Sequence, residues 1–200
     1  MNSNSEKISI FNQLITSTRV VLTTMIVCSG LYTLLILGIG QMVVPHTANG
    51  SLIFDECGKI IGSELIAQTF TSPKYFWSRP SSTDYNASAS GGSNWSPTNN
   101  KIRERAEKII GKMNNCKVTN DKMQLIPADL VTSSGSGIDP HITLQAAKYQ
   151  IERVAEARGL SVGSVQAILE TNAGKISGYL FSEPIVNVLI VNRELDKLRK

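Results

Sequence analysis

The chain has 200 residues, of which 42% are hydrophobic, and its formal net charge is +4. When the apolar stretch near the N-terminus is set aside, about 150 residues remain, the usual size of one domain with its own core. The mild positive charge and the mixture of acid and base in residues 101–105 argue against a nucleic-acid-binding protein and favour a solvated helix face.

Residues 20–44 contain no charged side chain and lie between Arg19 and Pro45. A run of about 25 residues is long enough to cross the hydrocarbon core as a helix. It is longer than the apolar part of a cleaved signal peptide, and no small-residue cleavage motif follows it. The sequence therefore predicts a cytoplasmic tail over residues 1–19 and one uncleaved transmembrane helix over residues 20–44.

The basic residues that flank this helix predict its orientation. Lys7 and Arg19 precede it, whereas the first basic residue after it is Lys59. Because positive charge is retained on the cytoplasmic side, we expect a single-pass protein of the cell membrane with its N-terminus in the cytoplasm. Residues 45–200 would then form one extracytoplasmic domain.

Apolar residues recur at helical spacing in several parts of that domain. They predict amphipathic helices over residues 55–70, 101–113 and 143–158, and a shorter helix that Ser161 caps. The helix over residues 143–158 has the clearest ends, because Thr143 is a good N-cap and Gly159 a good C-terminal stop.

Two segments are typical of strands. Residues 124–132 contain Pro127, which favours an edge strand or a strand start, and residues 185–191 form a β-branched run typical of a buried strand. Residues 193–200 are polar and are predicted to be helical or frayed. Helices therefore alternate with a few strands, which predicts an α/β (α+β) domain with a small sheet.

Cysteine and histidine are scarce in this chain. Cys57 and Cys116 would be able to form a disulfide in an extracytoplasmic domain, or to stay as free thiols. His46 and His141 are the only histidines, so no cluster has the spacing of metal ligands, and we expect no metal site.

Residues 75–100 combine many turn-forming residues with several aromatic residues. Such composition is typical of a loop, but the aromatic residues argue against disorder. The segment would either wrap and cover the sheet or contact a partner protein. The candidate partner-contacting residues are Tyr75, Trp77, Arg79, Asn86, Asn94 and Trp95.

Residues 131–142 read VTSSGSGIDPHI and precede a predicted helix. Successive Ser and Gly amides beside a helix start can cradle a phosphate, although a tight glycine turn explains the same pattern. The P-loop spacing and the G-x-S-x-G motif of hydrolases are absent from the sequence. For Asp139, beside His141, the sequence favours a capping role over acid–base catalysis.

Long motifs in these two segments resemble the potassium-transporting ATPase C chain family, KdpC. The first motif comprises residues 75–81, 84–87, 90–94 and 97–99, and the second comprises residues 129–142 with its continuation to residue 158. Glu183, Pro184, residues 186–189 and Asn192 match the terminal part of the family pattern. Trp95 departs from it, because a small aliphatic residue such as Leu is expected there.

The resemblance implies an accessory subunit of a high-affinity, ATP-driven potassium transport complex. Its implied partners are a channel-like A chain, a P-type ATPase B chain and a small F chain, all within the lipid bilayer. The chain lacks the D-K-T-G-T motif of a phosphorylated subunit, so we expect it not to be the catalytic chain.

Two functions of such a subunit fit the resemblance. In the first, the subunit assembles and stabilises the complex and acts as a catalytic chaperone that raises the ATP affinity of the B chain. ATP would contact Ser134, Gly135, Ser136, Gly137 and Gln150. In the second, the domain stabilises the complex and caps the external potassium entrance without binding nucleotide. The predicted topology favours the second, because a domain outside the membrane meets little ATP.

Overall fold

The structure is a computed structural model that describes residues 10–114, 125–174 and 183–198. The chain divides into two compact units, with the boundary between Ser51 and Leu52. The first unit contains the long apolar helix, and the second contains both sheets and the amphipathic helices.

The first unit is built on a 34-residue helix, Ile10–Val43, whose length and hydropathy suit a membrane span. Its parts are α1 (Ile10–Met25), a π-helical turn (Ile26–Leu31) and α2 (Tyr32–Val43). Arg19 is the only charged residue in this stretch of sequence. The predicted membrane helix is present, and it begins well before residue 20.

The helix ends where Val44 precedes Pro45. Val44 leaves helical geometry (φ −137°, ψ 60°), because the ring of a following proline disfavours the helical region. A single turn, α3 (Pro45–Ala48), follows. Asn49 then donates to the Pro45 carbonyl at 2.7 Å and exchanges two hydrogen bonds with the Gln41 amide.

The second unit begins with an antiparallel hairpin of β1 (Leu52–Phe54) and β2 (Ile60–Ser63), so the helix predicted over residues 55–70 is wrong. Asp55 Oδ1 accepts hydrogen bonds from the amides of Cys57 and Lys59, both at 2.9 Å. Gly58 is left-handed (φ 76°). An Asp side chain that binds amides ahead of it stabilises a turn in preference to a continuing helix.

Gly62 lets the hairpin lie close to the rest of the unit. A Cβ atom at this position would be 2.7 Å from Leu189 Cδ2, so a larger residue would push the hairpin away. The Gln68 side chain donates to the Ile61 carbonyl at 2.8 Å across the same contact. Cys57 is exposed on the hairpin turn. Cys116, with which it would be able to form a disulfide, lies outside the described residues.

α4 (Asn100–Asn114) confirms the helix predicted over residues 101–113. Asn99 begins it by accepting a hydrogen bond from the Lys101 amide at 2.9 Å. Met113 is buried near the far end, whereas Arg103 and Glu107 form an exposed ion pair at 2.8 Å.

The strand predicted over residues 124–132 is wrong for the described residues 125–132. A 3-10 turn, Ala128–Leu130, occupies the middle of this segment. Pro127 cannot donate a ladder hydrogen bond, and Thr132 Oγ1 donates to the Ala128 carbonyl at 2.7 Å. The Asp129 carboxylate accepts a hydrogen bond from the Thr143 amide at 2.8 Å, which fixes the turn beside the next strand.

Both helices predicted to follow are confirmed with their caps. α5 (Leu144–Arg158) starts with Thr143 Oγ1 accepting from the Ala146 amide at 3.1 Å and ends at left-handed Gly159 (φ 68°). α6 (Val162–Asn172) starts with Ser161 Oγ accepting from the Ser164 amide at 3.0 Å.

A three-stranded antiparallel sheet completes the unit. It contains β3 (His141–Thr143), β4 (Ala173–Gly174) and β5 (Ile185–Asn187), with β5 in the middle. The predicted strand over residues 185–191 is correct only to Asn187. There the Asn187 carboxamide accepts from the amides of Leu189 and Ile190 and caps α7 (Val188–Lys197).

The core of the second unit lies between α5, α6, α7 and the three-stranded sheet. Helices packed on small sheets confirm the predicted α/β class. The buried apolar residues that form this core include Phe76, Leu130, Ile142, Val154, Val165, Leu169, Val186 and Leu195. Phe76 comes from the loop of residues 75–100, so part of that loop belongs to the core.

Candidate functional site

Two buried side-chain amides hold the backbone of Phe76 and Trp77. Asn192 accepts a hydrogen bond from the Phe76 amide at 2.8 Å and donates one to its carbonyl at 3.0 Å. Gln150 accepts a hydrogen bond from the Trp77 amide at 2.9 Å and donates one to the Trp77 carbonyl at 3.2 Å. This amide clamp, formed by Gln150 and Asn192, pairs the dipeptide much as a neighbouring strand would. Every backbone polar group of the two residues therefore has a partner.

Arg153 supports the clamp from the next turn of α5. Its guanidinium donates to Gln150 Oε1 at 2.7 Å and to the Tyr75 carbonyl at 3.0 Å. The same group lies 3.9 Å from the centroid of the Trp77 ring, and Lys112 Nζ lies 4.4 Å from it. Hydrogen bonds and an aromatic face compensate for the burial of this charge.

Tyr75 is half-buried at the end of α7. Its hydroxyl donates to one carboxylate oxygen of Asp196 at 3.1 Å, and Arg158 binds the other oxygen at 2.8 Å. Arg158 also lies 5.0 Å from the Tyr75 ring centroid. The residue is thus fixed inside its own domain by contacts to α5 and α7.

The Ser/Gly loop, residues 134–137, docks onto the second half of the aromatic segment. The Gly137 carbonyl accepts hydrogen bonds from Ser81 Oγ at 2.6 Å and Thr83 Oγ1 at 3.5 Å. The Ser136 carbonyl accepts from the Gly91 amide at 2.8 Å and from Ser90 Oγ at 3.3 Å. The two segments that are distinctive in the sequence are therefore one structural assembly.

Gly137 makes this docking possible. Its φ is +72°, and a Cβ atom there would lie 2.8 Å from both the Gly91 carbonyl oxygen and Thr83 Oγ1. Only glycine combines this conformation with so close an approach at little cost. By contrast, Gly135 has open space around it and is exposed.

The hydroxyl groups of the loop bind its own backbone. Ser134 is buried, and its Oγ accepts from the Gly137 amide at 3.0 Å; Ser136 Oγ accepts from the Ile138 amide at 3.3 Å. Within the described part of the chain, the amides of Ser134, Gly135 and Ser136 have no hydrogen-bond acceptor. The loop therefore offers at most three backbone donors in this region.

Asp139 joins Arg79 and His141 beside the loop. It accepts from the His141 amide at 3.0 Å and lies 3.3 Å from His141 Nδ1 and 3.6 Å from Arg79. Burial raises the pKa of Asp139, but the hydrogen bonds and charge of His141, together with Arg79, outweigh it, so the net pKa is below the ordinary value. The carboxylate closes a local turn ahead of β3, whereas Thr143 caps the helix α5.

The outward part of the aromatic segment is exposed at Asn86 and Asn94. Tyr85 is half-buried, its hydroxyl donates to the Arg79 carbonyl at 2.8 Å, and its pKa is raised by burial and by Asp84. Trp95 lies against α4, 4.9 Å from the Arg105 guanidinium. This part of the loop presents amides and a few ordered rings at the surface.

The structure separates the residues that were proposed as one nucleotide site. Gln150 is 2% exposed, and its carboxamide binds Trp77, Arg153 and the Ala146 carbonyl. Among the described residues, no hydrogen bond joins Gln150 to the Ser/Gly loop. The proposed partner-contacting residues also separate, with Trp77 buried, Tyr75 and Arg79 half-buried, and the two asparagines exposed.

Sequence reasoning missed the roles of Arg153 and Asn192. Both matched the family pattern, but neither received a function. One signal was present: Gln150, Arg153 and Asn192 are polar residues among the apolar residues of amphipathic helices. Polar groups in such positions need buried partners, although periodicity cannot say which ones.

The described residues do not form a group of three or more His, Cys, Asp and Glu side chains that could hold a metal ion. The assembly therefore consists of packed aromatic rings, buried amides and a docked glycine-rich loop. Its internal hydrogen bonds and packed rings suit a surface that is held in one fixed conformation.

Comparison with known proteins identifies relatives of the whole chain. The family model described as "KdpC: K+-transporting ATPase, c chain" matches residues 14–197. Three relatives named "Potassium-transporting ATPase KdpC subunit" are similar over most of their length. That of Parvibaculum lavamentivorans is 42% identical over 92% of this chain and 96% of its own. That of Geobacter sulfurreducens is 43% identical over 86% of this chain and 91% of its own. That of Methylococcus capsulatus is 46% identical over 84% of this chain and 88% of its own.

Proposed function

This chain belongs to the KdpC family of K+-transporting ATPase c chains, and from that premise we propose that it is a non-catalytic subunit that assembles and stabilises the pump. Its membrane helix would anchor it among the membrane helices of the other subunits. Its second unit would lie outside the cytoplasm and cap the potassium entrance of the channel-like A chain. The P-type B chain and the small F chain complete the proposed set of partners.

The observation that carries this proposal is the docking of the Ser/Gly loop on the aromatic segment. The carbonyls of Ser136 and Gly137 bind residues of the 81–91 region, and the amide clamp holds Phe76 and Trp77 behind it. Polar groups of both segments therefore form hydrogen bonds inside the domain. The result is a pre-organised surface, which suits protein association because little order is lost on binding.

Backbone conformation supports the same conclusion. Asp84, Tyr85 and Asn94 have left-handed φ angles of 52°, 57° and 50°. Such conformations are costly for residues other than glycine and persist where the surrounding structure enforces them, often at functional surfaces. We therefore assign the outward loop around Asn86 and Asn94 as the surface that faces the A chain.

Deletion of residues 1–44 tests the anchoring role. We expect that the shortened chain does not co-purify with the A and B chains from detergent extracts. A matched control keeps the second unit unchanged but carries an unrelated single-pass helix, which separates membrane attachment from helix docking. A complete and active pump recovered with the deletion would contradict the proposal.

A substitution on the outward loop tests the cap. Ala87 is exposed, so Ala87→Arg adds bulk without disturbing the core, and we expect slower potassium uptake by the purified pump in vesicles. Glu156→Arg, exposed on α5 away from the loop, is the control. Equal uptake by the two variants would contradict the assignment of this surface.

The catalytic-chaperone function is a second candidate, favoured by the three unbonded amides of Ser134, Gly135 and Ser136. In this proposal the Ser/Gly loop, with Ser134 and Gly137, would contact ATP phosphates, and Gln150 would act indirectly by holding Trp77. Gly135→Glu introduces a carboxylate into open space, and it should abolish ATP binding by the full chain in detergent. Gly111→Glu, also in open space on α4, is the control. Equal ATP binding by the two variants would reject the nucleotide role.

The side of the membrane decides between the two functions. Cys57 is exposed, so an impermeant thiol reagent applied to intact cells that express this chain alone should label it if the domain is external. Background variants without Cys28 and Cys116 make Cys57 the single target. Labelling only after the cells are opened would favour the chaperone.

A further inference from the structure

The net charge of the second unit is concentrated in one helix. Residues 52–200 contain 18 Lys and Arg against 15 Asp and Glu, and residues 101–112 of α4 contain five against two. Outside α4, the acidic and basic residues of the unit are therefore equal in number. The two signs are usually interspersed on a solvated surface, whereas a single-sign patch attracts a partner of opposite charge.

A basic stripe runs along one side of α4. Its members follow one another at spacings of four and three residues, which places them on the same side of a helix. They are Lys101, Arg105, Lys108 and Lys112. Within the part of the chain that the structure describes, none of them forms an ion pair. Like charges at this spacing repel one another and destabilise a helix, so an anion bound along the stripe would stabilise α4.

The other charges of α4 do not neutralise the stripe. Arg103 and Glu107 lie on another side of the helix and bind each other at 2.8 Å. Glu104 is exposed and is the one carboxylate of α4 that lies beside the stripe. Four cations therefore adjoin one anion, and the stripe keeps a positive charge.

An aromatic ring lies against the stripe. The centroid of the half-buried Trp95 ring is 4.9 Å from the Arg105 guanidinium and 5.9 Å from Lys101 Nζ. Among the described residues, Arg105 Nε is buried without a hydrogen-bond partner. Tryptophan is enriched at the headgroup level of bilayers, and Lys and Arg bind anionic headgroups there. The ring beside the cations favours lipid headgroups over an acidic protein segment, which would need the cations alone.

The length of the connecting chain also favours lipid. The membrane helix ends at Val43 and the second unit begins at Leu52, so eight residues join them. A connection of this length spans at most about 30 Å even when fully extended. Covalent attachment therefore keeps the start of the second unit close to the membrane end of the helix, whichever side of the membrane the unit occupies.

We propose that the basic stripe of α4 binds the headgroups of anionic phospholipids. The lysines and the arginine meet lipid phosphates, and Trp95 lies at headgroup level. The apolar side of α4 stays in the core, where Met113 is buried, so the contact is electrostatic and the helix does not insert into the bilayer. This inference does not rest on the proposed function, because it requires only the chain and a bilayer.

A spin label on α4 tests the contact. The nitroxide is attached at Gly111→Cys, where a side chain enters open space, in the full chain carrying Cys28→Ala, Cys57→Ala and Cys116→Ala. The chain is inserted into vesicles of phosphatidylcholine, with or without phosphatidylglycerol, that contain a trace of a nickel-chelating lipid. We expect stronger relaxation of the label by nickel when phosphatidylglycerol is present, and loss of this difference at about 1 M salt, where charges are screened.

The control label lies at Glu156→Cys, exposed on α5, and its relaxation should not depend on phosphatidylglycerol. Equal relaxation of the α4 label in both kinds of vesicle would overturn the proposal, as would an equal response of the two labels. Relaxation that ignores phosphatidylglycerol but falls in the purified pump would assign the stripe to an acidic segment of another subunit, which also overturns it.

Removal of two cations tests the stripe itself. Lys101 and Lys108 are exposed, and we expect Lys101→Gln with Lys108→Gln to lower the ratio of docked to undocked α4 about fivefold for each lysine. The matched control, Lys59→Gln with Lys148→Gln, removes the same charge from the hairpin and α5 and should leave the ratio unchanged. Equal thermal melting of the two double variants shows that folding is intact. Lys108→Gln alone should lower the ratio about fivefold. Equal docking by the stripe variants and the control would overturn the proposal.

Discussion

Residues 75–77 and residues 84–100 both carry aromatic residues and belong to one segment of the chain, yet the domain uses them in opposite ways. The first part is pulled inwards, and Phe76 is 1% exposed between α5 and α7. The second part stays at the surface, with Asn86 and Asn94 exposed and the Ser/Gly loop beneath it. The inward half, residues 75–77, is part of the core. The outward half, residues 84–100, forms a surface.

The difference lies in the partners that each half finds. Two buried carboxamides satisfy the inward half, so its backbone can leave water without loss of hydrogen bonds. The outward half is bonded to a second loop and keeps water on its other side. An aromatic residue in a loop therefore indicates order, but the interior partners decide whether it becomes core or interface.

The largest effect is expected when the inward half loses its clamp. Gln150→Leu would leave the amide and carbonyl of Trp77 buried without partners, and we expect the free energy of unfolding to fall by about 2–4 kcal/mol. Urea unfolding of the full chain in detergent, followed by tryptophan fluorescence, measures this loss. Gln145→Leu, exposed on the same helix, is the control. Equal stability of the two variants would show that the clamp is not what holds the inward half.

A smaller but clear effect is expected at the contact that holds the outward half. Gly137→Ala places a Cβ in a left-handed conformation and 2.8 Å from two oxygen atoms, so we expect a loss of about 1–3 kcal/mol. Limited proteolysis should also cut residues 84–100 faster. Gly135→Ala is the matched control, since its Cβ would meet open space. If both variants are cut equally fast, the outward half does not depend on the docked loop.

Trp95 gives a test of how firmly the outward half is attached to α4. Trp95→Leu removes the stacking of the Arg105 and Lys101 cations on its ring, and we expect a loss of about 0.5–1 kcal/mol. Trp95→Phe retains an aromatic face, so its free energy of unfolding should lie between those of the wild type and the Trp95→Leu variant. Urea unfolding separates the three proteins, and a Phe variant no better than the Leu variant would exclude a cation–aromatic contribution.

The smallest effect concerns acid stability beside the loop. The pKa of Asp139 is lowered because the bonds and charges of His141 and Arg79 outweigh its burial. A lowered folded-state pKa contributes stability above the unfolded value of about 3.9 that is lost as pH falls through the folded value. Asp139→Asn should therefore reduce the stability difference between about pH 6 and about pH 3. Glu104→Gln, at an exposed carboxylate on α4, is the control. If Asp139→Asn leaves the stability difference unchanged, Asp139 does not contribute to acid stability.

Local signals predicted the parts of the fold that depend on neighbouring residues. Thr143, Gly159 and Ser161 marked helix ends correctly, because caps act within one turn. Errors arose where a single polar side chain redirected the chain. Asp55 closes a hairpin turn, and Asn187 stops a strand and caps α7, although the apolar pattern continued through both places.

The candidate surface was located from the sequence, but its internal organisation was not. Composition identified residues 75–100 and 131–142 as unusual, and the family pattern joined them to one function. Periodicity did not reveal that the Ser/Gly loop lies under residues 81–91, since loops carry no repeating pattern. Gln150 was grouped with that loop in sequence reasoning, whereas the structure places it on Trp77.

By itself, the sequence determined the membrane helix, the helix caps and the family, because hydropathy, capping and long motifs are encoded by residues close together in the chain. Only the tertiary structure decided which half of the aromatic segment is core. That decision depends on the pairings of Trp77 with Gln150 and of Phe76 with Asn192, which span 73 and 116 residues. Hydrogen bonds of this range form only when the packed helices bring their amides to one place.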